Sequence, residues 1–390
     1  MQLSASKNKK INDLFFFGQN KFRQLLPYQP SKISKPIHLD LFDSEKQIKQ
    51  ITSGIIATSF LFENGKVVQC LRERDSNQNP QEIPIENIKK ISGGDYVFYP
   101  NDQVIQDIVS GFRSVYLLSE KGNVYGIGSN GYGQLGLGLI RKAEKPILMM
   151  ENVSRIFSGN CSLVFLLNSN QELFVCGDND SGQVGLGKSI KKDEINQIAH
   201  VKNIPKGKII DIQTGWTHSV MLVEDENQNG TLYSCGDYQY NGLGNEDENA
   251  YEFTEIKSPL FENDNILEFR VGDHHTLILT SKGKLIGFGR NHHGQLGIGN
   301  TNIQSIPTQI QIPELLFDIS SYHLSCGDAT SFLYYSPVFS NLQIDLIKLF
   351  QRKEFCDISF KTKNENETIE AHKLILKYRL KDQKSKSKSI

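Results

Sequence analysis

What this 390-residue chain lacks narrows its class before any motif is read. No apolar run approaches the roughly 18 residues that a membrane-spanning helix needs, and the mean hydropathy is −0.38. Lys7, Lys9 and Lys10 precede an apolar stretch from Ile11 to Phe17, but that stretch is short and broken by Asn12 and Asp13, so no signal peptide is expected. A dominant charge is missing too. Lys and Arg number 43 against 44 Asp and Glu, and a net charge of −1 supplies no global field for nucleic acid or an anionic membrane. Cysteine is sparse: Cys70, Cys161, Cys176, Cys235, Cys326 and Cys356 form no CxxC pair and have no histidine at zinc spacing. They read as small hydrophobes inside strands, in a reducing compartment that is cytoplasmic first and nuclear second. Neither a metal nor a cofactor is expected.

What is present is a repeat. One unit runs from Gly111 to Gly138 as GFRSVYLLSEKGNVYGIGSNGYGQLGLG, and others open at Gly159, Gly215 and Gly272. A period of about fifty residues belongs to propellers and solenoids. Each unit carries a short apolar run of β-formers, such as Val115 to Leu118 or Leu277 to Leu279. A Gly-bearing turn and a second run follow, Val124 to Gly128 and Leu285 to Gly289, which predicts a hairpin. The glycines in the second run suit close backbone approach near a crowded axis, and the closing Gly-Gln-Leu-Gly-x-Gly is expected to turn the chain out of the blade. The ends fit closure. Leu324 to Leu333 matches a first half without a second, and Phe15 to Leu25 a second half without a first. An N-terminal strand that completes the last blade explains both and removes unpaired edges. Counting halves gives six blades, or seven if the worn segment 75–105, with Ile91 to Phe98, forms another.

These residues resemble the RCC1 repeat family, through the Gly-x-x-His/Arg-Ser/Thr opening and the Ser-Asn-x-x-Gly-Gln-Leu-Gly-x-Gly close. The resemblance covers about 11–336 and is strongest over 106–300. It implies an all-β propeller, closed by its N-terminal strand, whose loops bind protein partners on two faces. In relatives that act as exchange factors for the Ran GTPase, acidic and histidine residues after the opening glycine engage the GTPase. Asp273, His274 and Asp328 fall in comparable places here.

After Pro337 the pattern changes. Leu342, Leu346, Ile347 and Phe350 stand at helical spacing within a linker spanning 337–354. Residues 355–380 resemble the opening of a BTB/POZ domain, carried by Cys356-Asp357 before a β run and by Ala371-His372-Lys373 at the start of a helix. The resemblance implies a short α/β fragment, too small to build a BTB core or a cullin-binding surface. A complete BTB domain would make the chain an adaptor to a cullin-type ubiquitin ligase. Segments 1–10 and 381–390 have the composition of disordered ends.

Several sharp readings have bland rivals. Gly126-Ile127-Gly128-Ser129-Asn130-Gly131 matches GxGxxG, but no helix opens after it, so dinucleotide binding is rejected. His218, His274 and His275 follow the opening glycines, and His292 and His293 precede Gly-Gln-Leu-Gly. Hydrogen bonding across strands is the favoured role for histidines at the opening, with partner contact second. No nucleophile is paired with a base, and Ser219 is only the sequence neighbour of His218, so no enzyme is expected. Tyr238 and Tyr240 in a polar turn are candidate partner anchors, whereas Trp216 reads at least as well as buried packing. The primary functional expectation is a monomeric, non-enzymatic interaction module of the ubiquitin-adaptor kind. The alternative is a guanine-nucleotide exchange factor or regulator of a Ran-like small GTPase, and chromatin binding ranks low.

Overall fold

The computed structural model describes residues 14–19, 32–38, 48–53, 57–62, 66–71, 81–83, 105–159, 161–190, 193–237, 243–244, 250–312, 319–336, 358–361 and 368–371. The chain divides into Met1–Ser336 and Pro337–Ile390. In the first unit, β1 (Leu14–Gln19) and β2 (Lys32–His38) precede five sheets laid down in sequence order. Blade 1 holds β3 (Ile48–Ser53), β4 (Ala57–Phe62), β5 (Val67–Leu71) and β6 (Gln81–Ile83). Blade 2 holds β7 (Ile105–Gly111), β8 (Ser114–Ser119), β9 (Val124–Ser129) and β10 (Lys142–Met150). Blade 3 holds β11 (Val153–Phe157), β12 (Leu163–Asn168), β13 (Leu173–Asp178) and β14 (Glu194–Val201). Blade 4 is β15 (Lys208–Thr214), β16 (His218–Glu224), β17 (Gly230–Gly236) and β18 (Ala250–Glu255). Blade 5 is β19 (Ile266–Val271), β20 (His275–Thr280), β21 (Leu285–Gly289) and β22 (Gln304–Ile310).

Blade 6 is shared between the two ends of the unit. β23 (Tyr322–Cys326) and β24 (Thr330–Tyr335) supply its first half, and β1 and β2 its second, in the order β2-β1-β24-β23. Leu14 pairs with Tyr334 and Phe16 with Phe332, so the expected closure is observed. The first strands of successive blades lie side by side, β7 on β11, then β15, β19 and β23, and β23 meets β3. This is a six-bladed, all-β propeller. The worn segment adds no seventh blade: Gln81–Ile83 is the outer strand of blade 1, and Ile105 already begins blade 2.

The core lies between blades. Val220, Phe269 and Ile278 bury themselves where blades 4 and 5 meet, and Phe15, Phe16, Phe17, Phe60 and Phe332 do so around blade 6. The second strands are buried along their whole length, as the six residues Leu163–Asn168 and His275–Thr280 show, which is why they stand out in sequence.

Two expectations about the glycines are corrected. Gly-Gln-Leu-Gly does not lead the chain out of the blade. It wedges against the outer strands of the next one, where the Gly138 N–H donates to the Asn196 carbonyl, Gly187 to Tyr251 and Gly299 to Ser34. A Cβ on Gly294 would stand 2.6 Å from the Ile33 carbonyl oxygen, at a φ of +77° that already favours glycine. The third-strand glycines are not pressed by the axis either. A Cβ on Gly236 would lie 2.2 Å from the carbonyl oxygen of Thr217, in the turn between the blade's own first two strands. The opening glycines, like those of Gly-Gln-Leu-Gly, do meet a neighbouring blade.

In the second unit, β25 (Ile358–Lys361) pairs antiparallel with β26 (Thr368–Ala371), and the described residues show no BTB-like fold beyond this pair. The predicted helix over 342–353, the helix opening at His372 and Lys373, the motif residues Cys356 and Asp357, the segment Ile91 to Phe98 and both chain ends lie outside the described residues. No helix among the described residues is long and apolar enough to cross a membrane.

Candidate functional site

Two sets of connections share one face of the ring. The first set joins strands one and two of each blade. A Cβ on Gly159 would sit 2.2 Å from the Thr214 carbonyl oxygen, and one on Gly272 would sit 2.5 Å from that of Gly327, so glycine is what lets adjacent turns abut. Backbone bonds then run from turn to turn: Phe112 N–H to Cys161 O at 2.9 Å, Trp216 to Asp273 at 2.8 Å, Asp273 to Gly327 at 3.3 Å. The second set begins just past strand three, where Ser129, Asp178, Asp237 and Arg290 donate their N–H groups to Arg113, Ser162, Thr217 and His274. The repeat thus places two variable positions per blade on a rigid, glycine-built ring.

Two histidines are structural. His218 is fully buried with Nε2 3.3 Å from Thr276 Oγ1 in the next blade. His275, also fully buried, has Nε2 2.9 Å from Ser331 Oγ, which in turn donates to the Gln295 carbonyl at 2.8 Å. Burial lowers both pKa values to about 3, so each is a neutral tie between blades. The bonding anticipated across strands runs across blades instead. Ser219 gives its hydroxyl proton to the Gln183 carbonyl at 2.7 Å, which removes it as a nucleophile beside His218.

The remaining candidates gather around blade 5. Asp273 is buried, and His274 is half-buried with Nδ1 3.2 Å from Thr217 Oγ1. Burial and then Arg290 lower His274 to about 4, against the opposing pull of Asp328 and Asp237. His292 is exposed and accepts from Arg290 Nε at 3.3 Å. Burial, then Lys32 and Arg290, lower His293. Blades 4, 5 and 6 therefore bring Arg290, Asp328 and Asp237 within electrostatic reach of His274, and Arg290, Asp328 and His292 within reach of His293. Tyr238 and Tyr240 lie outside the described residues.

Sequence reasoning missed Arg290 and Asp237. Their signal was the position after the third-strand glycine, which reads Ser129, Asp178, Asp237 and Arg290 along the chain. It also undervalued Trp216, which is 40% exposed and packs on Phe112 with ring centroids 5.7 Å apart. The Arg113 guanidinium covers the Phe112 ring at 5.0 Å.

A separate charged chain follows the first strands of blades 4, 5 and 6. Arg270 meets Glu268 at 2.7 Å and Asp211 at 3.9 Å, and His323 Nδ1 lies 3.0 Å from Glu268. Burial pushes the Asp211 carboxyl up, and Arg270 opposes it. Among the described residues no cluster of three or more His, Cys, Asp or Glu suits a metal ion. Cys161, Cys176 and Cys235 are buried free thiols with pKa values raised by burial, as expected of inert packing residues.

Six four-stranded sheets in sequence order, the last closed by the N-terminal strands, define a β-propeller. Within it, the family model for the Regulator of chromosome condensation (RCC1) repeat matches residues 121–165, 170–222 and 282–334. The human X-linked retinitis pigmentosa GTPase regulator is 29% identical over 304 residues, covering 76% of this chain and 28% of the relative. The ultraviolet-B receptor UVR8 of Arabidopsis thaliana is 33% identical over 120 residues, 31% of this chain and 26% of the receptor. The chain thus spans under a third of the length of these curated relatives. Prp20p of Saccharomyces cerevisiae, whose crystal structure was described with its binding to Gsp1p and histones, superposes with a TM-score of 0.71 at 17% identity. That match covers 89% of this chain and 96% of Prp20p, and at such identity it speaks for the fold.

Proposed function

We propose that this propeller binds a small GTPase on its turn-side face and regulates it through binding, with nucleotide exchange as the form of that regulation. The carrying observation is the convergence of His274, Arg290, Asp237 and Asp328 from three blades, with buried Asp273 beneath them, on turns fixed by blade-to-blade backbone bonds. Such a site holds a partner by charge and shape and breaks no bond in it, which suits a regulator better than an enzyme. The likeness to a GTPase regulator over most of the chain supports the same reading.

The test is affinity capture by the full chain from its own cell lysate in EDTA, with elution by GTP. The reading expects a small GTPase that GTP releases, and about tenfold weaker capture by His274→Ala or Arg290→Ala. Partners recovered without any GTPase would refute it. The cullin adaptor expected from the C-terminal resemblance gains no support from the described residues of the second unit, a lone pair of strands. Capture of a cullin by the full chain, lost when residues 337–390 are removed, would favour it.

A further inference from the structure

We infer that the seam between blades 5 and 6 holds a phosphate-type dianion, gripped by Lys32 from the closing N-terminal hairpin and by His292 and His293 from blade 5. The loop 290–299 folds back on itself, with the Asn291 amide donating to the Asn300 carbonyl at 3.0 Å and the His293 N–H to Gln295 Oε1 at 3.0 Å. It then lies against β2. A Cβ on Gly294 would stand 2.6 Å from the Ile33 carbonyl oxygen, and the Gly299 N–H donates to the Ser34 carbonyl at 2.7 Å. Lys32 stands one residue before that contact and Lys35 one residue after it, both exposed and neither in an ion pair among the described residues. Neither ring nitrogen of His293 has a hydrogen-bond partner there, and its Nδ1 is buried. His292 Nδ1 accepts from Arg290 Nε at 3.3 Å, which leaves the proton of the neutral ring on Nε2 as a donor.

Charge and size select the occupant. Burial first, then Lys32 and Arg290, hold the proton off His293 against the weaker pull of Asp328, so cations outweigh carboxylates at the seam. A bound anion reverses that repulsion. Asp237 and Asp328 act on His274 next to it, however, so an extended polyanion such as a nucleic acid or a run of glutamates would meet like charge. A single tetrahedral dianion would not, and its oxygens can accept from a lysine and two imidazoles that approach from two blades. A lone carboxylate brings half the charge and fewer acceptor oxygens. The phosphate is either a monoester carried by a protein partner or the free ion, with the same chemistry at the seam. Since Lys32 belongs to the β1–β2 hairpin that pairs with β24, the anion also ties the two ends of the propeller together. Only Arg290 is shared with the GTPase reading, and the site does not depend on it.

The full chain is titrated by calorimetry with inorganic phosphate, a phosphoserine peptide, the same peptide unphosphorylated, and oligoglutamate. Saturable, salt-sensitive phosphate binding is expected, about tenfold weaker for Lys32→Ala and for His293→Gln. Saturating phosphate should raise the thermal midpoint of the parent chain and leave that of Lys32→Ala unmoved, because the ligand binds only the closed ring. A phosphopeptide that binds more tightly than inorganic phosphate, with the plain peptide silent, upholds the site and assigns it to a phosphorylated partner. Phosphate binding with no gain from the peptide upholds the site and assigns it to the free ion. No saturable phosphate binding, binding unchanged in both variants, or oligoglutamate bound as tightly as phosphate overturns the inference. Lys32→Ala that loses phosphate yet captures a GTPase in full upholds both readings as separate sites. Phosphate binding by a chain that captures no GTPase upholds the seam and removes the GTPase reading alone.

Discussion

The contact between blades 5 and 6 and the contact between blades 2 and 3 solve one problem with different atoms. In both, the glutamine of Gly-Gln-Leu-Gly leaves a buried carbonyl oxygen that needs a donor. At blades 5 and 6, Ser331 of the next blade donates to Gln295 O while His275 holds the same hydroxyl. At blades 2 and 3 the residue equivalent to Ser331 is Leu163, and the hydroxyl donor comes from inside the blade: the Tyr116 hydroxyl reaches Gln134 O at 3.0 Å, with Ser114 at 3.1 Å behind it, while the next blade adds only the weak Cys176 thiol at 3.5 Å. The repeat conserves the acceptor along the chain and leaves the donor free to change. A histidine at the opening is therefore a tie only where the next blade offers Ser or Thr, as Thr276 and Ser331 do for His218 and His275.

The largest test of that contrast is His275→Ala, which opens a cavity at a fully buried site and strips the relay to Ser331; a loss of about 3 kcal/mol is expected in chemical denaturation. Ser331→Ala should cost about 2 kcal/mol, since it leaves the Gln295 carbonyl and the His275 ring without their shared hydroxyl. Acid should act through the histidine contact and not through the tyrosine one. His218 and His275 are lowered from 6.5 to about 3, so the unfolded chain takes up their protons first. With His274 lowered to about 4 acting in the same sense, stability held above pH 6.5 is then lost progressively as pH falls towards 3, and His275→Gln should remove about a third of that slope. Asp178, raised to about 6, works the other way, its penalty easing as pH drops from 6 to 3.8, and the raised Asp180 and Asp211 act in the same sense, so the difference between His275→Gln and the parent, rather than the whole curve, isolates the histidine contact. The smallest effect is expected from Tyr116→Phe, about 1 kcal/mol with unchanged acid sensitivity. A Tyr116→Phe cost equal to that of Ser331→Ala would erase the distinction between the two contacts.

How much was legible follows from burial. The second and third strands of each blade were read correctly because each carries a short apolar run, as in Leu163–Leu167 or Leu285–Ile286, next to turn residues. Their outer neighbours escaped notice: β10 buries only Ala143, and β14 only Ile195 and Val201, so neither shows a clean alternation. The ring closure was readable as two unmatched halves, a local count that required no knowledge of distance. The role of Gly-Gln-Leu-Gly was not, since its contacts lie in the following blade, and Gly133 meets Asn196 far along the chain. For the candidate site, Asp273, His274 and Asp328 came from the family resemblance. Arg290 and the exposure of Trp216 needed neighbouring blades to be set side by side.

The closing strand also sets a schedule for synthesis. Leu14 and Phe16 find their partners only when Tyr334 and Phe332 have been made, so the triplet Phe15-Phe16-Phe17 must wait for nearly the whole ring to be translated. At roughly 5–20 residues per second, that wait is on the order of tens of seconds. Throughout it, a sticky segment has only β2 for a partner, and its other edge stays open while five blades assemble behind it. The step that gives the finished ring no open end makes the nascent chain dependent on protection, and slow translation or a missing chaperone should show first as aggregation seeded by its N-terminus.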